Sequence, residues 1–308
     1  MDQVYLGVLP AHEPLHDYLS GLLGLDGAVF DSYRLHPQML MVRYQERTSQ
    51  RELACKFFGR KLPSEGETPD DAHFRKLLLK EEGALRRFQA LGFDQPPYRV
   101  PSILGQNEEL EFLLVEEFVD GPHLDHFLRG AYKQLQDRAP LQASLRQLAN
   151  FLSQLHQRGQ EGEVSQEYAL SPLAKYIEHL KERELADAAM LERLREALKG
   201  WQGLACWRAA PAAWLHGDCT PINFIFVGED DMVIIDLERC HRGDPMRDLG
   251  SLEAELRLAS ISMARDPRAC QPEIQVLQEA YGLDAGQQER LQFWVGTYLV
   301  RISRNDWH

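Results

Sequence analysis

Apolar and polar residues alternate over three short stretches in the first part of the chain, Ala28–Tyr33, Met39–Gln45 and Glu52–Phe58. Their β-branched and aromatic content predicts short antiparallel strands, with Leu35-His36-Pro37-Gln38 as the turn joining the first two. The polar, acidic run Pro63–Asp71 reads as a loop. The apolar period then lengthens. Phe74, Leu77, Leu78, Leu85 and Phe88 recur at helical spacing, which predicts a helix from about Ala72 to Leu91 with Gly92 placed to end it. A further strand, Glu111–Phe118, runs into Val119-Asp120-Gly121-Pro122, a turn and the expected lobe boundary. Beyond it helical spacing dominates. Leu141, Leu145, Leu148, Phe151, Leu152 and Leu155 share one face before Gly159, a charged helical region covers Leu173–Leu198, and helices resume from about Leu249. The pattern predicts an α+β fold of two lobes, a small antiparallel-sheet N-lobe over residues 1–118 and a larger helical C-lobe over 119–308.

One segment breaks the helical pattern of the second half. In Trp214–Glu238 two apolar runs, Phe224–Val227 and Met232–Ile235, flank the turn residues Gly228–Asp231, which is a β-hairpin signal. A hairpin brings the residue before its first strand, Asn223, beside the residue after its second, Asp236. An amide oxygen and a carboxylate are hard ligands suited to Mg²⁺, with water and substrate phosphates filling the other positions. Asp218 precedes Asn223 on the approaching loop and can face the same spot as an uncoordinated carboxylate, ready for a hydroxyl proton.

Composition narrows the classes of partner. The chain has 34 basic and 47 acidic residues, a net charge of −13, which argues against a nucleic-acid backbone or an anionic membrane as partner. No apolar run approaches the roughly 20 residues of a membrane span, and the N-terminus lacks a secretory signal, so a soluble, cytoplasmic protein is expected. The five cysteines, Cys55, Cys206, Cys219, Cys240 and Cys270, include no C-x-x-C pair and read as small buried hydrophobes rather than disulfide or zinc ligands.

His216-Gly217-Asp218-x4-Asn223, followed by Ile234-Ile235-Asp236-Leu237-Glu238, resembles the catalytic and metal-binding signature of the aminoglycoside phosphotransferase and choline kinase family, which shares the protein-kinase fold. Leu148-Ala149-x2-Leu152-x2-Leu155-His156 and Asp244-Pro245-x2-Asp248-Leu249-Gly250 resemble the flanking segments. Val115-Glu116-Glu117-Phe118-Val119-Asp120-Gly121 looks like the hinge that receives adenine. The resemblance implies ATP and Mg²⁺ as cofactors, with the γ-phosphoryl group passing to a small-molecule hydroxyl. It implies Asp218 as the catalytic base and Asn223 and Asp236 as metal ligands. Lys56 would bind the α- and β-phosphates, held by Glu81 or, failing that, Glu82, and the backbone of Glu117, Phe118 and Val119 would meet the base. His216 would be structural, and Glu238 would either anchor the metal ligands or order the substrate. Asp244 and Asp248 would cap and pin the following helix. The turn Leu35–Gln38 has no glycine, a departure that leaves its phosphate contacts unassigned.

Three alternatives stand beside this reading: a catalytically silent nucleotide-binding regulator, a metal-dependent phosphoesterase and a protein Ser/Thr kinase. Asp-Leu-Glu in place of Asp-Phe-Gly, and no Ala-Pro-Glu after it, count against the last. Between Gly228 and Glu255 nine acids face three arginines, a local net of −6, which suggests an acidic rim and favours a cationic acceptor.

Overall fold

The computed structural model describes residues 3–35, 40–61, 70–228 and 230–304. His36, Pro37 and Gln38 of the expected turn lie outside the described residues, as does most of the loop from Pro63. The chain divides into two compact units, residues 1–120 with 233–238, and residues 121–232 with 239–308.

The first unit opens with β1 (Val4–Val8), α1 (Pro14–Leu23), β2 (Phe30–Arg34), β3 (Met41–Glu46), β4 (Glu52–Phe57) and α2 (Asp71–Ala90). The short strands β5 (Asp94–Gln95) and β6 (Tyr98–Arg99), then β7 (Ile103–Asn107) and β8 (Leu113–Glu117), complete it. An antiparallel sheet runs in the order β1-β2-β3-β4-β8-β7. Its register places Cys55 opposite both Val42 and Val115, and these bury with Leu19, Phe30 and Phe57 in one apolar core. Strand alternation turns Lys56, the next residue, to the other face.

In the second unit α3 (Leu124–Tyr132), α4 (Ala139–Arg158), β9 (Gln160–Glu163), α5 (Gln166–Glu182), α6 (Ala188–Trp201) and β10 (Pro211–Leu215) come first. The hairpin strand β11 (Phe224–Phe226) follows; its partner β12 (Met232–Ile234) runs from the second unit into the 233–238 segment of the first, and β13 (His241–Gly243), α7 (Met246–Ala259), α8 (Gln271–Tyr281) and α9 (Ala285–Ser303) complete the second. The hairpin turn is closed by Val227 N–H donating to the Asp231 carbonyl at 2.7 Å. β10 lies between β13 and β9, and its end at Leu215 delivers the chain to His216.

The α+β architecture agrees with expectation, with local corrections. The strand expected from Glu111 begins at Leu113, because Glu111 and Phe112 take φ of 57° and 53° and turn the chain. The charged region Leu173–Leu198 is two helices: α5 ends at Glu182, and Asp187 starts α6 by accepting from Met190 N–H at 2.7 Å. β1, α1, β7 and α3 carried too little alternation or length to be read. In β1, Val4, Tyr5, Leu6 and Val8 are all exposed, so no face is marked as apolar. Among the described residues no helix is long and apolar enough to cross a membrane. All five cysteines are buried.

Candidate functional site

In the first unit a buried cation gathers carboxylates from three elements. Lys56 Nζ on β4 donates to Glu81 Oε1 on α2 at 2.9 Å and to Asp236 Oδ1 at 3.2 Å. Burial opposes the charge on Lys56, but Glu81, Asp236 and Glu116 outweigh it and hold the ammonium well above its ordinary pKa. Leu237 N–H also donates to Glu81 Oε1, at 3.2 Å, which ties α2 to the Asp-Leu-Glu segment. Glu82 points elsewhere and pairs with Arg86 at 2.8 Å.

Asp236 has φ of +62°, the left-handed region, which Asp tolerates better than most side chains. Glu238 pairs with Lys61 at 2.5 Å. Carboxylate oxygens of Glu81, Asp236 and Glu238 lie within 4.8 Å of one another, and Glu81 Oε2 is buried without a hydrogen-bond partner. An all-oxygen set with an unsatisfied buried carboxylate oxygen fits a hard divalent cation such as Mg²⁺.

Glu116, on β8, was not singled out from sequence. It belongs to the same charge group: burial pushes its carboxyl up to about 8, the Glu81 charge adding to this and Lys56 opposing it. Its neighbours Glu117, Phe118 and Val119 are half-buried. Glu117 pairs with Arg99 at 3.0 Å, and the Arg43 guanidinium sits 4.8 Å from the Phe118 ring.

In the second unit a tight loop carries Asp218 and Asn223. Asn223 Nδ2 donates to the Asp218 carbonyl at 2.9 Å, so its amide nitrogen is committed to the loop and its oxygen remains for a ligand. Asp218 N–H donates to His216 Nδ1 at 3.3 Å, and the buried His216 ring packs on Phe224. Gly217 has φ of +83°, and a Cβ there would stand 2.2 Å from the Arg239 carbonyl, so only glycine fits between His216 and Asp218.

The loop is pinned from α7. Asp248, 1% exposed, accepts from His216 N–H at 2.8 Å, Gly217 N–H at 2.9 Å and His156 Nε2 at 3.3 Å. It therefore holds the loop that precedes its helix, a larger task than capping. Asp244 accepts from Met246 N–H near the helix start, and also from Arg290 Nε and Trp294 Nε1 on α9. Burial alone would raise the Asp248 carboxyl, but the His156 hydrogen bond, the charges of His156 and His216 and the Gly217 N–H hold it down at about 2. A carboxyl depressed from 3.8 contributes stability above pH 4 that disappears as pH falls through 2. The stability difference between the wild type and Asp248→Asn is therefore expected to shrink by about 2 kcal/mol as pH falls from 4.5 to 2. Urea titrations across that range measure it, and a pH-independent difference would contradict the assignment.

Two arginines flank Asp218. Arg239 Nε lies 3.7 Å from Asp218 Oδ2 and Arg301 Nη2 lies 3.8 Å from Oδ1, beyond hydrogen-bond reach, and Oδ1 has no hydrogen-bond partner. Arg301 comes from α9, far along the chain, and no motif announced it. Several acids of residues 228–255 have partners of their own. Asp244 meets Arg290, Asp248 meets the loop, and Glu253 pairs with Arg257 at 2.6 Å. The charged groups paired with Asp218 itself are basic. A cavity of about 320 Å³ opens beside Arg247 and Trp294, and Asp218 is not among its lining residues.

Comparison with known proteins places these features in a family. The description "Phosphotransferase enzyme family" matches residues 42–294, well over half of the chain. No curated protein matches the chain in sequence. Among solved structures, a choline/ethanolamine kinase family protein from Mesorhizobium loti is similar, with TM-score 0.57 and 18% identity, covering 95% of this chain and 81% of that one. An aminoglycoside phosphotransferase from Streptomyces rimosus has TM-score 0.52 and 18% identity, covering 93% and 98%. Choline kinase from Streptococcus pneumoniae has TM-score 0.51 and 17% identity, covering 92% and 97%. At such identity the likeness concerns the fold, and it bears out the kinase-like architecture expected from sequence.

Proposed function

We propose that this chain, which belongs to the phosphotransferase enzyme family, transfers the γ-phosphoryl group of ATP to a hydroxyl of a small molecule. The observation that carries the reading is the Lys56 cluster. A buried ammonium kept charged by Glu81 and Asp236 is preorganised to meet nucleotide phosphates without waiting for a counter-ion to move.

In this account Lys56 Nζ binds the α- and β-phosphates and Glu81 fixes its direction. Backbone groups of Glu117, Phe118 and Val119 receive the base. Asn223 and Asp236 would hold Mg²⁺ through their side-chain oxygens, with Glu238 in support, and the ion would supply neutralisation of phosphate charge. Asp218 orients the acceptor hydroxyl and takes its proton as the new O–P bond forms and the bond from the γ-phosphorus to the bridging oxygen breaks, with ADP leaving. His216 and Asp248 hold Asp218 in place through the loop backbone. Most of the acceleration comes from positioning and charge stabilisation.

ADP release with Mg-ATP, measured over aminoglycosides, choline-like amino alcohols, sugars and hydroxy acids with Asp218→Ala as the blank, tests the reading. Stimulation by at least one hydroxyl compound in the wild type alone is expected. ATP binding with no acceptor-stimulated turnover would favour a silent nucleotide-binding regulator instead.

A further inference from the structure

Around Asp218, the second unit presents more cationic groups than its carboxylates use. Beyond Arg239 and Arg301, Arg304 on the last turn of chain after α9 lies close enough to Arg301 for their charges to act on each other, and Arg247 on α7 bonds the Tyr298 on whose ring Arg301 sits. Three of the four are fixed by aromatic rings: Arg247 lies 5.4 Å from the Trp294 centroid, Arg301 5.4 Å from Tyr298 and Arg304 4.2 Å from Tyr176. Arg247 also donates to Tyr298 Oη at 3.2 Å and bonds His241 Nε2 at 2.9 Å. Among the described residues neither Arg247 nor Arg304 has a carboxylate within 4 Å.

The nearby acids do not account for this charge. Asp248 is taken by two backbone donors and His156. Asp218 and Glu255 remain, against the guanidinium groups of Arg247, Arg301 and Arg304. Burial draws the Arg304 guanidinium below its ordinary pKa, and the Arg301 charge adds to that against the opposing Tyr176. Burial likewise raises the Glu255 carboxyl, with Arg301 opposing and Asp218 adding. Two arginines close enough to repel, both stacked on rings, one with no carboxylate partner and the other reaching Asp218 only at 3.8 Å, are guanidinium forks held ready for an anion.

We propose that the acceptor is itself anionic, carrying a carboxylate or phosphate monoester besides its reacting hydroxyl, and that Arg301 and Arg304, with Arg247 behind them, hold that anion beside Asp218. This deepens and rests on the phosphotransferase reading above, and it reverses the cationic preference drawn from net charge. That preference treated the local charge as one field, whereas folding pairs most acids internally and leaves arginines at the reacting carboxylate. The anion would also take up positive charge that would otherwise stabilise the Asp218 carboxylate and weaken it as a base.

The test uses the full chain with Mg-ATP and three matched panels of hydroxy compounds. These are anionic (glycerate, gluconate, glycerol 3-phosphate), neutral (glycerol, glucose) and cationic (choline, an aminoglycoside). Turnover is expected in the anionic panel. Loss of a charged hydrogen-bonding partner in Arg304→Gln should raise the acceptor KM about 10- to 100-fold with a much smaller change in kcat, and Arg304→Lys should recover part of it. Turnover confined to neutral or cationic acceptors overturns the proposal. So does a loss in kcat without change in KM, which would assign the arginines to the transferred phosphoryl group. A calorimetric titration with glycerol 3-phosphate separates this proposal from the reading beneath it. If no panel member is phosphorylated, the phosphotransferase reading fails. Saturable binding that Arg304→Gln and Arg301→Gln abolish would still uphold the anion site, and no binding would overturn it.

Discussion

Asp218→Asn is expected to lower kcat for phosphoryl transfer about 10³-fold while the nucleotide Kd changes less than about threefold, the mid-range loss for removal of a general base. The change keeps the shape of the side chain and removes its ability to take a proton. The loop should survive it, since its geometry is set by Asp248, Gly217 and the Asn223 amide, which bonds the Asp218 backbone carbonyl rather than its side chain. Single-turnover measurement at saturating ATP isolates the step. A variant that retains wild-type kcat would remove Asp218 from the chemistry.

Lys56→Met is expected to act on stability and rate together. Glu81, 1% exposed, loses its cation while Asp236 and Glu116 remain close by, and breaking a buried pair from one side costs about 3–5 kcal/mol. The lower end applies, because Glu81 can respond by taking up a proton. Loss of a charge-assisted phosphate contact worth about 1.5–3 kcal/mol should also lower kcat/KM for ATP about 10- to 100-fold. Adding Glu81→Gln should restore part of the stability and none of the rate, since it removes the stranded carboxylate but not the need for a phosphate-binding cation. Denaturant titration and ATP kinetics on both variants check this. Equal stability and equal kcat/KM in Lys56→Met would show that the cluster has no part in nucleotide handling.

The sequence was most legible where chemistry is written in local spacing. The hairpin after Asn223 appears as two apolar runs about a polar turn, and β2 to β4 and α2 appear as a change of period from two to near four. Lys56 stood out as a cation in an apolar strand. Its partner Glu81 could be narrowed only to one of two adjacent acids, since helical phase over one residue is decided by packing. Arg301 and Arg304 carry no local signal, because their meaning lies in which residues α9 brings them beside. Glu116 looked like part of an acidic hinge, and only burial next to Lys56, Glu81 and Asp236 shows that its carboxyl is pushed well above the usual carboxylate range. Net charge has the same weakness as a guide. A sum of charges over 228–255 cannot record that Asp244, Asp248 and Glu253 are each satisfied inside the fold.

The most direct test of the central claim follows the phosphoryl group itself. Wild-type protein is incubated with γ-labelled ATP, Mg²⁺ and the hydroxyl acceptor that gives the greatest ADP release, and the products are separated. The account predicts label in a phosphate monoester of the acceptor, in step with ADP formed, and none in that monoester with Asp218→Asn. Label found only in inorganic phosphate, or equal transfer by Asp218→Asn, would contradict it.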